Sequence, residues 1–433
     1  MYFGVKLKFS IALLCAILWS GASVYISYNW HQQLSEHIGT IASTIVILGV
    51  AIIPGFMNAF LFASLLMDHR PKRIRLKQYP PLTILIAAFN EEHQIIDTLN
   101  GIKLQNYNGT LEIIVINDGS TDATAALLQS NQENFPWLKV LDLETNGGKS
   151  AALNQGFAQS SHEMIITLDA DSYLYEDSLH CIVERFMEDP KNTRAVAGTI
   201  LVRNSRESWI TKAQEWDYFH GIAAIKRVQS LYQGTLVAQG AFSIYSREAL
   251  LEVGGWPEGV GEDIILTWAL LNAGYRIGHS EDACVFTDVP VTLMQFSRQR
   301  QRWSRGVIEA FKKYPGVLFK PRLSTMFIYW NLMFPLLDLI FTLSFIPGIV
   351  LALLGYFWIV GPMTLALIPI AMAVNYLMFV IGRGMFRSRR LHVRINYEGF
   401  LIYSLCYNLI MQPTCLFGYI SEIFQLKKKW GTK

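Results

Sequence analysis

Two long stretches near the start of the chain, Phe9 to Tyr28 and Ile38 to Met67, contain no charged residue. Each is close to or above the roughly 20 apolar residues that a helix needs to cross a bilayer. Leu323 to Gly382 carries one charge, Asp338, and has room for two further crossings, with breaks expected at Pro347-Gly348 and Gly361-Pro362. Phe400 to Leu426 is a last apolar span. Lys6 and Lys8 ahead of the first stretch would also suit a signal peptide. Its apolar part is longer than such peptides need and no clear small-x-small cleavage site follows, so a retained helix is expected.

Between Pro80 and Lys320 the pattern changes. Leu82 to Ala88, Leu111 to Asn117 and Met164 to Asp169 are short β-rich runs that stop at polar residues, with helix-like stretches at Glu91 to Leu99 and Ala123 to Gln129. Near-continuous apolar strands separated by helices predict an α/β domain with a mostly parallel sheet covered on both faces, whose ligands bind at the carboxyl ends of the strands. The expected organisation is residues 1–79 as two transmembrane helices and a basic cytoplasmic linker, 80–320 as the α/β domain, and 321–433 as a C-terminal membrane region of about three helices.

Composition agrees with a chain that lives partly in lipid: of 433 residues, 52% are hydrophobic and 16% charged. The net charge of +3 gives no reason to expect a nucleic-acid partner, and the placement of basic residues says more than their sum. Arg70, Lys72, Arg73, Arg75 and Lys77 follow the second span, whereas Asn29 to His37 contains no Lys or Arg, which puts the central region in the cytoplasm. Arg383, Arg387, Arg389, Arg390 and Arg394 read as inside too, and so do Lys427, Lys428 and Lys429. One crossing cannot place both groups inside, so the last span is re-entrant, broken at Pro413, or contrary to the rule. Cys15, Cys181, Cys284, Cys406 and Cys415 include no Cys-x-x-Cys pair, which disfavours zinc and redox chemistry and suggests buried thiols.

Four polar motifs stand out in the α/β region. Asn117-Asp118-Gly119-Ser120 follows a strand and would turn Asp118 toward the ligand crevice, although ordinary turn chemistry explains it equally well in isolation. Asp169-Ala170-Asp171 ends the next strand, where the two-residue period places both carboxylates on one side, as hard donors for Mg²⁺ or Mn²⁺ shared with substrate phosphates. Glu262-Asp263 opens an apolar helix from Ile264 to Asn272. Acidic residues there complement the positive helix end, and the same field keeps a carboxylate ionised to accept a proton. One base suffices for a single displacement, whereas glycoside hydrolysis commonly uses two carboxylates. Gln299, Arg302 and Trp303 lie in a basic amphipathic stretch, Leu293 to Phe311, which by itself could rest on anionic lipid. Arg302 can also grip a diphosphate and Trp303 can offer a face to a sugar ring. Asn146-Gly147-Gly148-Lys149 lacks phosphate-loop spacing, and is either a plain turn or a loop that brings Lys149 to a nucleotide.

Taken in order, these motifs resemble those of the processive family 2 glycosyltransferases, the inverting synthases of cellulose, chitin, hyaluronan and bacterial poly-N-acetylglucosamine. The resemblance covers about Pro80 to Lys320 and the flanking spans. It implies a GT-A-type nucleotide-sugar-binding domain inserted between transmembrane α-helices. It further implies Asp118 at the uridine, Lys149 at the nucleotide, Asp169 and Asp171 at nucleotide and metal, and Asp263 as general base. Gln299 and Arg302 would then contact the diphosphate and Trp303 the acceptor. Ala87-Ala88-Phe89-Asn90-Glu91 resembles the family's Pro-Ala-Tyr-Asn-Glu entry motif, which adds Phe89 and Glu91 to the nucleotide-sugar site. Gly261 stands where the family has Thr, and Phe89 lacks the Tyr hydroxyl.

Size and layout are most similar to the poly-β-1,6-N-acetylglucosamine branch, while Thr287-Asp288-Val289-Pro290 resembles a motif of chitin, hyaluronan and Nod-factor backbone synthases. The implied reaction polymerises N-acetylglucosamine from a UDP-N-acetylglucosamine donor, with Mg²⁺ or Mn²⁺, into a β-linked biofilm polysaccharide passed across the bilayer. The implied setting is the inner (plasma) membrane, with the domain in the cytoplasm and a small membrane accessory subunit as a further partner. The alternatives are a synthase of another sugar or linkage, or a non-processive transferase acting on a lipid.

Overall fold

The computed structural model describes residues 4–69, 74–388, 390–391 and 395–426. One eight-stranded sheet forms the centre of the α/β region. Its strands are β1 (Leu82–Ala88), β2 (Leu111–Asp118), β3 (Leu138–Leu143), β4 (Met164–Leu168), β5 (Ser172–Leu174), β6 (Thr193–Val202), β7 (Phe242–Ser246) and β8 (Arg276–Thr287). They lie in the order β3-β2-β1-β4-β7-β6-β8-β5. The first four in this order run parallel, as the alternating pattern predicts. Beyond β4 the sheet is mixed: β7 is antiparallel to β4 and to β6, β6 is parallel to β8, and β5 is antiparallel to β8.

Both faces of the parallel half are covered. Ile84, Ile86, Ile113 and Val115 pack into one core, and Leu85, Ile114 and Ile116 into the other, which is the two-residue side-chain period expressed as two layers. The helix expected from Glu91 spans Ile95–Lys103 instead, because the backbone amides of Glu91 and Glu92 are taken by Thr124 Oγ1 and Asp122 Oδ2 across the crevice.

Among the described residues, four helices are long and apolar enough to cross a membrane: Val5–Ile38, Thr40–Leu66, Thr325–Leu353 and a window of Leu367–Gly384. Leu14, Ile17, Leu18, Val24 and Ile26 are all exposed on the first, a continuous apolar face that water does not tolerate. Asn29 to His37, the stretch without Lys or Arg between the first two apolar runs, is helical rather than a loop, and the helix continues to Gly39, whose φ of 81° ends it. The break expected at Pro347-Gly348 is absorbed by a π-helical turn at Phe341–Phe345, whereas Gly361-Pro362 does separate two helices. The final span bends by 53° between Tyr397–Leu405 and Tyr407–Ile423. Pro413 lies inside the second of these, so the break is not at the proline. Cys15 and Cys406 are exposed on the apolar helices, which corrects the expectation of buried thiols, while Cys181 and Cys284 are buried as expected. Of the basic clusters used for orientation, Arg70, Lys72, Arg73, Arg389, Arg394 and Lys427 to Lys429 lie outside the described residues.

The sheet domain is locked to the membrane helices through Tyr232. Its ring meets Phe9 at 5.1 Å and Phe60 at 5.5 Å, and its hydroxyl bonds Ser64 Oγ at 3.0 Å. Nearby, Arg227 pairs with buried Asp68 at 2.8 Å.

Candidate active site

The polar ends of β1, β2 and β4 converge with the loops before the Glu262–Asn272 and Leu293–Lys313 helices. At the end of β1, Phe89 is 41% exposed and Asn90 takes a left-handed φ of 57°. That unfavourable conformation is held because Asn90 Oδ1 accepts from the Thr121 amide at 2.8 Å and its own amide donates to Ser120 Oγ at 3.0 Å. The Phe89–Glu91 segment is thereby latched to the loop that follows Asp118.

Asp118 is buried at the end of β2, where its two oxygens accept from the amides of Gly147 at 2.8 Å and Gly148 at 2.9 Å. A Cβ on Gly119 would approach the amide of Asn146 to 2.7 Å, and its φ of 67° already selects glycine. The Asn-Asp-Gly and Asn-Gly-Gly-Lys segments, separate in sequence, therefore form one structure. It projects Lys149 from the first turn of Lys149–Gln159.

Lys149 Nζ lies 2.5 Å from Asp169 Oδ1 and 3.3 Å from Glu262 Oε1. Burial would lower its pKa, but the carboxylates of Asp169, Glu262 and Asp263 outweigh burial and hold it well above the usual lysine value. Glu262 is buried, and burial followed by the charge of Asp263 raises its pKa against the opposing pull of Lys149. Asp263, half-buried, accepts from the Gly240 amide at 3.4 Å and from its neighbour Ile264 at 2.7 Å. Asp171 accepts from Thr287 Oγ1 at 3.2 Å; burial first, then the charges of Asp169 and Glu91, push its pKa up to about 7.

Crowded carboxylates at one strand end make a place for a cation. Among the described residues no group of three or more His, Cys, Asp or Glu is arranged to hold a metal, and the hard oxygen donors present at this strand end are the carboxylates of Asp169 and Asp171. That fits Mg²⁺ or Mn²⁺, which keep waters and take substrate phosphate oxygens alongside one or two carboxylates.

The Leu293–Lys313 helix packs against the loop that carries this cluster, with the Val260 amide donating to Glu309 at 3.1 Å. A Cβ on Gly261 would lie 2.7 Å from Gly306 Cα, so the two backbones touch. Glycine in place of the family's Thr is therefore matched by a glycine on the facing helix. Gln299 Oε1 is buried without a hydrogen-bond partner among the described residues, and the charge of half-buried Arg302 reaches both Glu262 and Tyr218. Trp303 keeps 36% of its surface exposed and is tilted against Tyr218 at 6.4 Å. The lipid-facing reading fails for Arg305, which is buried and pairs with Glu422 at 3.2 Å.

Sequence reasoning passed over Glu262 as a partner of Lys149, and missed Arg300 and Asp217, which pair at 2.8 Å beneath Trp303. Glu262 could have been found from its place beside Asp263. Asp217 gave no signal, being one acid on a short amphipathic helix, Trp209–Asp217.

A mixed sheet whose parallel strands end in this acidic crevice is the GT-A glycosyltransferase fold. Residues 83–254 match the model of the family described as Glycosyl transferase family 2. It is 36% identical over 274 residues to the poly-beta-1,6-N-acetyl-D-glucosamine synthase of Staphylococcus aureus, a match that covers 60% of this chain and 66%, just under two thirds, of that protein. The Staphylococcus epidermidis protein of the same name is 36% identical over 231 residues, covering 53% of this chain and 55% of its own. Among solved structures, a mannosyltransferase from Pyrobaculum calidifontis in complex with GDP-Man and Mn²⁺ shares the fold. Its TM-score is 0.58 at 18% identity, over 89% of this chain and 99% of that one.

Proposed function

We propose that the protein is a UDP-sugar-dependent hexosyltransferase that transfers N-acetylglucosamine to a growing β-linked polysaccharide, as the relatives' names suggest. The observation that carries this reading is the Gly261–Gly306 contact, which sets the Glu262-Asp263 pair against the helix bearing Gln299, Arg302 and Trp303. Base, diphosphate contacts and acceptor platform then surround one reacting centre.

Asp263 accepts the proton of the acceptor hydroxyl as its oxygen bonds the anomeric carbon, and the bond from that carbon to UDP breaks with inversion. Arg302 and Gln299 meet the departing diphosphate, and Trp303 holds the acceptor ring. Asp118 and Lys149 orient the nucleotide, with Phe89 and Glu91 at its edge. Asp169 and Asp171 would hold the divalent ion, which when bound neutralises the charge of the leaving group. Lys149 supplies charge of the same sign from the protein itself. The domain faces the cytoplasm, the apolar helices sit in the inner membrane, and the chain is extended processively across it, with the β-1,6 linkage as the leading choice.

Full-length protein in lipid nanodiscs, given UDP-N-acetylglucosamine with Mg²⁺ or Mn²⁺, should release UDP and form long polymer cut by a β-1,6-specific hydrolase. Products of only a few sugars would exclude processivity, and a chloroform-soluble labelled product would indicate transfer to a lipid.

A further inference from the structure

A cavity of about 710 Å³ opens where three parts of the chain meet: the start of Val5–Ile38, the segment after the sheet domain, and the start of Thr325–Leu353. Its lining includes Lys6, Lys320 and Arg322 beside Phe9, Phe319 and Tyr329, and no acidic residue. No described carboxylate pairs with any of the three cations. Arg322 donates to the carbonyl oxygens of Gly274 and Tyr275, neutral acceptors that leave its charge uncompensated. The cavity shares no residue with the candidate active site.

Its level in the membrane follows from contacts already described. Phe9 packs on Tyr232 of the sheet domain, so the cavity is on the domain side of the bilayer, where the apolar helices begin. Phe319 is 83% exposed and Tyr329 47% exposed, large rings of the kind that sit at headgroup depth. Cations with no counter-charge over an apolar wall, at that depth, match a ligand that is anionic at one end and hydrocarbon at the other.

We propose that this cavity binds an anionic membrane phospholipid, its phosphate facing Lys6, Lys320 and Arg322 and an acyl chain lying along Phe9, Phe319 and Tyr329. A zwitterionic lipid carries its own cation and gains less from the same three charges. The bound lipid bridges the first membrane helix to the segment that leaves the sheet domain, bracing the junction around Tyr232.

The test uses full-length protein in mild detergent, with bound lipid counted by native mass spectrometry and thermal unfolding followed as lipid is added. Phosphatidylglycerol should bind at least tenfold more tightly than phosphatidylcholine and raise the unfolding temperature. Lys6→Gln and Lys320→Gln should each weaken phosphatidylglycerol roughly fivefold, as expected for one basic residue at an anionic surface, and leave phosphatidylcholine unchanged. Equal retention of the two lipids, or unchanged phosphatidylglycerol binding in the double variant, overturns the proposal. Equal stabilisation by millimolar sodium phosphate overturns the lipid and leaves an oxyanion site. Should the lysine variants misfold, Phe319→p-benzoylphenylalanine at the exposed ring gives an independent reading. On irradiation in vesicles of mixed phosphatidylglycerol and phosphatidylcholine it should form adducts mainly of the anionic lipid, and adducts in proportion to the mixture would refute selective binding.

Discussion

The guanidinium of Arg300 lies 4.2 Å from the centre of the Trp303 ring, and the same group is held 2.8 Å from Asp217. Asp217 also accepts from the Tyr407 hydroxyl at 2.9 Å, so the ring proposed to carry the acceptor is braced through two buried charges to a helix of the final membrane span. Removing Arg300 would strand a buried carboxylate, an effect of about 3 to 5 kcal/mol, larger than the roughly 0.5 to 2 kcal/mol of the cation–π contact itself. Arg300→Met should therefore lower thermal stability markedly, and Arg300→Met with Asp217→Leu should recover much of it. Differential scanning of both variants decides this, and failure of the second substitution to restore stability would argue against the paired arrangement.

Asp263→Asn should keep UDP binding near the parent level while UDP release falls at least about 10²-fold, the size expected for loss of a general base. Calorimetry and a coupled release assay separate the two quantities. Turnover equal to the parent would remove Asp263 from the base role.

Asp171→Asn should abolish the metal-dependent part of UDP binding and spare the metal-independent part. Titrating UDP with and without Mn²⁺ reads both, and an unchanged metal increment would show that the ion is held elsewhere.

Gly261→Thr restores the family's residue but drives a side chain into Gly306, so the Gln299–Trp303 segment must retreat. Since a misplacement near 1 Å can lower rate by about 10²-fold, kcat/KM should fall by roughly that factor with the fold intact. Gly306→Ala, whose added Cβ would lie 3.0 Å from Gly261 Cα, should give a smaller loss in the same assay.

At the amino end of β2, away from the crevice, Glu112 is buried and accepts from Thr83 Oγ1 at 2.6 Å, Lys139 Nζ at 2.5 Å and the Ser161 amide at 2.8 Å. Burial would raise its pKa, but the bonds from Lys139, Thr83 and Ser161 prevail and lower it from 4.5 to about 2. A depressed carboxylate contributes stability above the unfolded value near 4.5, and that contribution is lost as pH falls toward 2. Because Lys139 is exposed and screened, the contribution is about 2 kcal/mol. Acid unfolding of the parent and Glu112→Gln should thus differ at pH 6 and converge near pH 2.

Much of the parallel half of the fold could be read from the chain, because β1, β2 and β4 are apolar runs that end abruptly in Asn90, Asp118 and Asp169. The mixed half could not, since the pairing of β6, β7 and β8 depends on long connections rather than on local alternation. The acidic motifs were visible as motifs, but their wiring was not. Lys149 reads as a turn residue until Asp118 is seen holding its loop, and Arg305 reads as a surface cation until Glu422 arrives from more than a hundred residues away. Pro413 misled for a related reason: within a packed apolar helix its lost hydrogen bond is tolerated, and the chain bends at Cys406 instead.

The Leu293–Lys313 helix touches Gly261 through Gly306 on one side, and on the other side Gly418 leaves no room for a Cβ beside Ser304 and the Gln301 carbonyl. The helix is therefore gripped from two sides, at the Glu262-Asp263 loop and at the Tyr407–Ile423 helix, with the Arg305–Glu422 ion pair beside the second contact. The segment bearing Gln299, Arg302 and Trp303 is thereby held by close backbone packing on both sides, so an added methyl at Gly261, Gly306 or Gly418 must displace it.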